Sequence, residues 1–208
     1  TPTIEVTNET TTQAATRLLK EGKTNLVALN FASARNVGGG FLAGAVAQEE
    51  DLCRRSGLYL CTKNKPMFYN ENILCDNCLY TNNMIYSPDV PFFRDEHLQF
   101  LEEPYLMSII SAPAPNLNGA ANIDRDVLVR TINHRTYKIL QIAENLKHKN
   151  IILGAWGCGA FGNDPELIAN SFKKALKEIP AFKHICFAIY DKRDGTPVFN
   201  TFLNVFGE

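Results

Sequence analysis

Gly38-Gly39-Gly40 stands seven residues ahead of Gln48-Glu49-Glu50, and this pairing is where the 208-residue chain could do chemistry. A glycine triplet lets backbone pass close to a bulky polar ligand, with amide N–H groups free to meet it. Acidic side chains shortly afterwards can reach into the same cleft. A second glycine-rich stretch, Gly154-Ala155-Trp156-Gly157-Cys158-Gly159-Ala160-Phe161-Gly162-Asn163-Asp164-Pro165, also follows an apolar run and precedes a helical pattern. Its free N–H groups and the helix N-terminus after it make a natural diphosphate site. Phosphate-binding backbone beside a carboxylate pair points to hydrolysis of a glycosidic bond in a nucleotide sugar. The plainer alternatives are that the glycines only make tight turns and that the two glutamates lie on a solvated helix face.

The elements that must position these loops can be read from pattern. The stretch 10–21 predicts a helix that starts near Thr11 or Thr12 and stops at Gly22. The apolar run 26–31 predicts a buried strand that ends at the first glycine loop. Residues 43–61 have helical composition with a break near Ser56-Gly57. The polar, Asn-rich stretch 61–83 reads as a long excursion and a candidate cover for the cleft. Strands are expected over 84–87 and 106–111, with Pro88 and Pro91 interrupting between them. The stretch 124–149 is the longest helical pattern, with an approximate apolar stripe through Val127, Leu128, Thr131, Ile132, Arg135, Ile139, Ile142, Ala143 and Leu146. Strands follow at 151–155 and 184–190, and Asp164-Pro165-Glu166 opens a helix with Asp as N-cap. A closing helix fits 196–206. Strands alternating with helices indicate an α/β sandwich, with the ligand at the carboxyl ends of the strands.

Composition narrows the partners. A formal net charge of −1 is unlike the broad basic surface of a duplex-binding protein, so sequence-specific nucleic-acid binding is not expected. No apolar run reaches the roughly 18 residues that span a bilayer, so no membrane partner is expected. The first five residues lack the apolar core of a signal peptide, although a chain that starts at Thr leaves an earlier leader open. Six scattered cysteines suggest reduced thiols in an intracellular protein, cytoplasmic or nuclear. The lone Cys75-x-x-Cys78 lacks the second ligand pair of a structural zinc site. No linker or repeat divides the chain, so residues 1–208 are expected to form a single domain.

Several further residues have two readings each. His134 reads as a surface or packed histidine before a base, and Phe161 as a core aromatic before a ligand contact. Arg94 could reach an anionic substrate or simply pair with Asp95. Cys158 as a nucleophile would need a base that the sequence does not place. Trp156 is a candidate anchor of the second loop.

The stretch 30–40 followed by Gln48-Glu49-Glu50 resembles the signature of bacterial-type poly(ADP-ribose) glycohydrolases. Similar to that family also are Tyr86-Ser87-Pro88-Asp89-Val90-Pro91-Phe92-Phe93-Arg94, Ser111-Ala112-Pro113-Ala114-Pro115-Asn116 and the Gly154–Phe161 loop, so the resemblance spans about Ile4 to Phe206. It implies a macrodomain-like three-layer α/β/α sandwich with a mixed central sheet and ADP-ribose in a crest cleft. The implied reaction is cleavage of ribose–ribose O-glycosidic bonds in poly(ADP-ribose), releasing ADP-ribose, with no metal and no cofactor. The implied catalytic glutamate is Glu50, with Glu49 on ribose hydroxyls. Substrate-binding positions are Asn36 and Gln48 near the distal ribose and catalytic loop, the Gly38, Gly39 and Gly40 backbone, and Gly157, Cys158, Gly159, Ala160 and Phe161 around the diphosphate.

Ordinary glycosidases flank the sugar with two carboxyls, about 5 Å apart when retaining and about 6.5–9.5 Å apart when inverting. Adjacent helical residues point about 100° apart, so Glu49 and Glu50 are not expected to flank one anomeric carbon. A division of labour follows, with Glu50 as acid and then base. The two are expected to titrate as a coupled pair. Two other activities stay open on this reading: a mono-ADP-ribosyl hydrolase acting on modified protein or small acceptors, and a non-catalytic reader of ADP-ribose.

Overall fold

Leu26–Phe31 (β2) is the strand on which the architecture is organised, and its side chains alternate between two cores. Val27 and Leu29 enter one core, while Leu26 and Ala28 enter the other. That two-sided burial is why a parallel central strand reads as a continuous apolar run. A computed structural model of the protein describes residues 1–118 and 122–207. The other strands are β1 (Thr3–Thr7), β3 (Ile85–Arg94), β4 (Phe100–Ala112), β5 (Asn150–Leu153) and β6 (His184–Ala188). They form one six-stranded sheet in the order β1-β6-β5-β2-β4-β3. Every pairing is parallel except β3 with β4, so the sheet is mixed.

Helices cover both faces. On one side lie α1 (Thr11–Lys20), α2 (Gln48–Arg55) and α3 (Leu58–Lys63), whose Leu18, Leu52, Cys53 and Leu58 close the core over Ala28, Ile109 and Ile152. On the other lie α5 (Arg125–Asn145), α6 (Pro165–Glu178) and α7 (Pro197–Phe206). There Ile132, Ile139, Phe172 and Phe202 pack on Leu29, Ile151 and Phe187. A further helix, α4 (Pro66–Ile73), sits outside these two sets. Among the described residues, no helix is long and apolar enough to cross a membrane.

Some boundaries follow the sequence expectation and others differ, for identifiable reasons. The first helix starts at Thr11, as expected, and Thr10 caps it: its hydroxyl accepts from the Gln13 amide and the Gln13 side chain answers the Thr10 amide, a reciprocal cap. The helix expected from residue 43 starts only at Gln48, because a 3-10 turn (Phe41–Ala43) and Gly44 at φ +80 occupy the intervening chain. The predicted break at Ser56-Gly57 separates α2 from α3. The polar excursion is no open loop: Pro66 starts α4, which buries Phe68, Tyr69 and Asn72.

Pro88 and Pro91 do not interrupt a pair of short strands. They lie inside β3, the sheet edge, where a missing N–H is tolerated, and the register shifts between Ser87 and Val90. Strand β1 was not anticipated at all. Arg135, read as part of an apolar stripe, is fully buried, and its guanidinium donates to the Pro113 and Tyr80 carbonyls (2.9 and 3.0 Å), the Leu79 carbonyl and Asn82 Oδ1 (2.9 Å). It thereby ties the 79–82 segment to the exit of β4. The helix-opening Asp164 caps α6 by accepting from the Glu166 amide, as its Asp-Pro-Glu context predicts.

Candidate active site

The carboxyl ends of β2, β5 and β6 open into one cleft of about 1180 Å³. One wall is the first glycine loop and the start of α2, the opposite wall is Gly157 to Phe161, and the far end is Ala188 to Arg193 with Glu9, Thr10 and Thr11. Of the residues singled out by sequence, Asn36, Gly39, Gly40, Gln48, Glu49, Glu50, Gly157, Cys158, Gly159, Ala160 and Phe161 all line it. Gly38 does not: it turns toward the interior, where a Cβ would meet the Tyr59 ring at 2.9 Å and Cys53 Sγ at 3.4 Å. The 61–83 stretch does not cover the cleft. It braces the first loop from behind, where Arg35 donates to the Asn72 and Cys75 carbonyls (3.4 and 3.0 Å) and lies over the Tyr80 ring.

The first loop uses its amides differently from the expected anion cradle. Gly39 N–H bonds to the Asn36 carbonyl (2.9 Å), Phe41 N–H to Gly38 (3.0 Å), and Gly40 N–H to Glu50 Oε1 (2.9 Å). The Ser33 amide donates to Glu49 Oε1 (2.8 Å). Each glycine of the triplet is needed for its own neighbour: Gly38 for the Tyr59 ring, Gly39 for the Glu50 carboxylate and Gly40 for Ala45, whose Cβ a Gly40 side chain would meet at 2.7 Å. Gly38 and Gly39 have φ of +67 and +60, and a Cβ on Gly39 would overlap Glu50 Oε1. These backbone donors hold acids in place.

Glu49 and Glu50 occupy the first turn of α2, where the helix dipole favours negative charge. Glu49 is 3% exposed, and both of its oxygens accept bonds, Oε1 from Ser33 N–H and Oε2 from Asn30 Nδ2 (2.8 Å). Asn30 Nδ2 also donates to Ser111 Oγ (2.9 Å), and the two residues face each other in the β2–β4 ladder. Gln48 fixes the helix start, because its Oε1 accepts from Phe31 N–H (2.9 Å) and its Nε2 donates to the Leu29 carbonyl (2.8 Å) and Thr11 Oγ1 (3.1 Å). Its side-chain hydrogens are thus committed to the protein's own chain. Glu50 is different. It is 7% exposed, and its Oε2 is a buried oxygen with no partner among the described residues.

Burial pushes the Glu49 carboxyl up to about 7, and the neighbouring Glu50 charge adds to the rise against the bonds from Ser33 and Asn30. A carboxyl raised above its ordinary 4.5 stabilises the fold fully below that value and loses the contribution as pH rises through about 7. The span corresponds to about 3 kcal/mol. We therefore expect the difference in unfolding free energy between the wild type and Glu49→Gln to shrink steadily from pH 4.5 to 7.5 in urea titrations. A difference that is flat with pH would contradict this environment.

The second loop presents the free amides. Trp156 is fully buried, its Nε1 donates to the Ala112 carbonyl (2.9 Å), and its ring packs edge-on against Phe172, which makes it the loop's anchor. Asn163 Nδ2 donates to the Pro115 and Gly157 carbonyls (2.7 and 2.9 Å). Gly157 has φ +72, and a Cβ there would meet Ala114 Cβ at 2.5 Å. The amides of Gly159, Ala160 and Phe161 donate to no described residue, whereas the Phe161 and Ala160 carbonyls are held by Leu117 N–H and Asn118 Nδ2. Burial raises the Cys158 thiol to about 12, which does not suit a nucleophile. Arg94 lies over Phe100 on the β3–β4 hairpin and does not line the cleft, and His134 is exposed on α5.

Asn30, Ser33 and Ser111 belong to this site although sequence reasoning did not select them. Asn30 carried a usable signal, a polar amide at the end of an otherwise apolar strand run. The far wall at 188–193 carried none, because only the fold brings it to the cleft. Among the described residues, no three His, Cys, Asp or Glu side chains converge as metal ligands.

A mixed sheet between two helical layers, with an amide-lined crest cleft facing a buried carboxyl, defines a macrodomain-like α/β/α sandwich. Residues 1–95 match the family model for the catalytic domain of microbial-type PARG. The solved poly(ADP-ribose) glycohydrolase of Thermomonospora curvata, bound to the inhibitor ADP-HPD, is 41% identical with a TM-score of 0.93, over 98% of this chain and 78% of that one. The poly(ADP-ribose) glycohydrolase of Deinococcus radiodurans in complex with ADP-ribose is 44% identical with a TM-score of 0.90, over 98% of this chain and 84% of that one. No curated protein sequence matches the chain. The chain belongs to the microbial-type poly(ADP-ribose) glycohydrolase family.

Proposed function

We propose that this protein is a poly(ADP-ribose) glycohydrolase that binds ADP-ribose in the crest cleft and cuts the ribose–ribose bond, with Glu50 as general acid and base. The observation that carries the assignment is Glu50 itself, which lines the cleft and whose buried Oε2 has no partner among the described residues. An unsatisfied buried polar atom costs about 1–3 kcal/mol, and a substrate oxygen would satisfy it. Glu50 gives its proton to the leaving ribose oxygen, then takes one from the water that attacks the anomeric carbon, so the carboxyl returns to its starting state. The substrate's diphosphate, held by the Gly159, Ala160 and Phe161 amides, lies close to the ribosyl ring and stabilises its developing positive charge. Glu49 offers its remaining lone pairs to ribose hydroxyls. No step requires a metal or cofactor.

Residues 1–208 are read as one domain, supported by the single sheet that both cores share. An intracellular setting is supported by six unpaired cysteines.

Incubation of the purified protein with poly(ADP-ribose), mono-ADP-ribosylated protein and free ADP-ribose tests the reading. Chain shortening with release of ADP-ribose is expected. Release from the mono-modified protein alone would support the mono-hydrolase, and binding without product would support the reader.

A further inference from the structure

The cleft continues past Glu50 along α2. Glu50 and Arg54 share one face of α2 at a spacing of four residues, and Val46, Ala47 and Arg54 line the cleft together with Glu50. Arg54 Nη2 donates to the Ala45 carbonyl at 2.6 Å, which holds the guanidinium against the loop that precedes α2. The nearest acid in sequence beyond Glu50, Asp51, is taken by Arg55 at 2.8 Å. Among the described residues, no carboxylate pairs with Arg54. Beside it, Val46 is 85% exposed. A guanidinium with N–H donors left over, next to an apolar side chain held in water, lacks an anion attached to a flat apolar body.

The chemistry of the substrate supplies one. On the reading above, the unit to be released has its diphosphate at the second loop and its distal ribose at Glu50. The group that departs is the 2′-oxygen of another adenosine ribose, still joined to its adenine and its own diphosphate. We propose that Arg54 and Val46 form an acceptor-side subsite for the adenosine diphosphate portion of the adjoining unit, the guanidinium meeting phosphate oxygens and Val46 packing against the adenine. This rests on the polymer-cleaving function. Arg is suited to the task because its planar fork matches phosphate oxygens in pairs. Contacts of this kind exist in the polymer but not in free ADP-ribose, so they favour capture of a chain end over retention of the product.

The test compares wild type, Arg54→Ala, Arg54→Lys, Val46→Asp and the distant charge control Arg130→Ala, using long poly(ADP-ribose) as substrate and ADP-ribose as the binding probe. Removing a phosphate-binding cation at an exposed rim is expected to lower kcat/KM on polymer about tenfold at low salt, less at high salt, through KM. ADP-ribose affinity, measured by calorimetry, should stay within about twofold, because that product does not reach the rim. Arg54→Lys should recover part of the loss, and Val46→Asp, at an exposed position that does not burden the fold, should lower polymer turnover in the same salt-dependent way. Polymer kinetics unchanged in both Arg54→Ala and Val46→Asp would overturn the subsite, as would a parallel loss of ADP-ribose binding, which marks a merely structural role. A wild type that binds ADP-ribose but never shortens the polymer would instead overturn the activity on which the subsite depends.

Discussion

Glu50→Gln is expected to lower turnover of poly(ADP-ribose) by about 10²–10⁴-fold while ADP-ribose still binds. The amide keeps an oxygen for the Gly40 N–H, which Glu50 Oε1 accepts at 2.9 Å, so the first loop retains its shape. What disappears is the transferable proton at the position of the partnerless Oε2. Single-turnover cleavage of polymer read against calorimetric ADP-ribose binding separates the two effects. Survival of turnover to within about tenfold would remove Glu50 from the acid–base role. Glu49→Gln is a less clean probe, because Asn30 Nδ2 and Ser33 N–H both donate to the Glu49 carboxyl and one of them would then face an NH2 group.

The second large effect concerns backbone. Gly39→Ala is expected to reduce turnover at least about a hundredfold, since misplacing a reactive group by about 1 Å can cost that much. At φ +60 the alanine is strained by about 1–2 kcal/mol, and its Cβ would occupy the place of Glu50 Oε1. The proper comparison is Gly22→Ala, at φ +81 after α1, where a Cβ meets nothing within 4 Å. Both variants carry the backbone strain, so Gly39→Ala should lose at least as much stability as Gly22→Ala in thermal melts, but Gly22→Ala should keep its activity. Equal activities in the two would show that the glycine loop does not set the position of Glu50.

Much of this was legible in the chain, and the pattern of success has physical causes. Leu26–Phe31 was readable because a strand buried on both faces is almost continuously apolar, here in all but Asn30, and α6 because Asp164-Pro165-Glu166 combines a side-chain cap with a residue preorganised for the first helical turn. Strand β1 escaped because an edge strand with one covered face carries too few apolar residues to stand out, and β3 because its prolines are harmless only at an edge, which sequence does not reveal. The pairing of the first loop with the acidic residues was visible in their spacing, and the second loop in its glycines between an apolar run and a helical pattern. The allocation of amides was not, because which N–H meets which carboxylate depends on how α2 is set against β2 and the first loop. Gln48 looked like a ligand contact for the same reason, since nothing local shows that Leu29, Phe31 and Thr11 already engage its amide.

The Asn30–Ser111 pair has a wider meaning. Because these partners face one another near the carboxyl ends of two neighbouring strands, the hydrogen-bond ladder itself calibrates the acidic end of the cleft, and a slip of one residue between β2 and β4 would reverse which side each points to. The reactive end is therefore not a device mounted on a scaffold but a continuation of it. At this seam folding and function succeed or fail together.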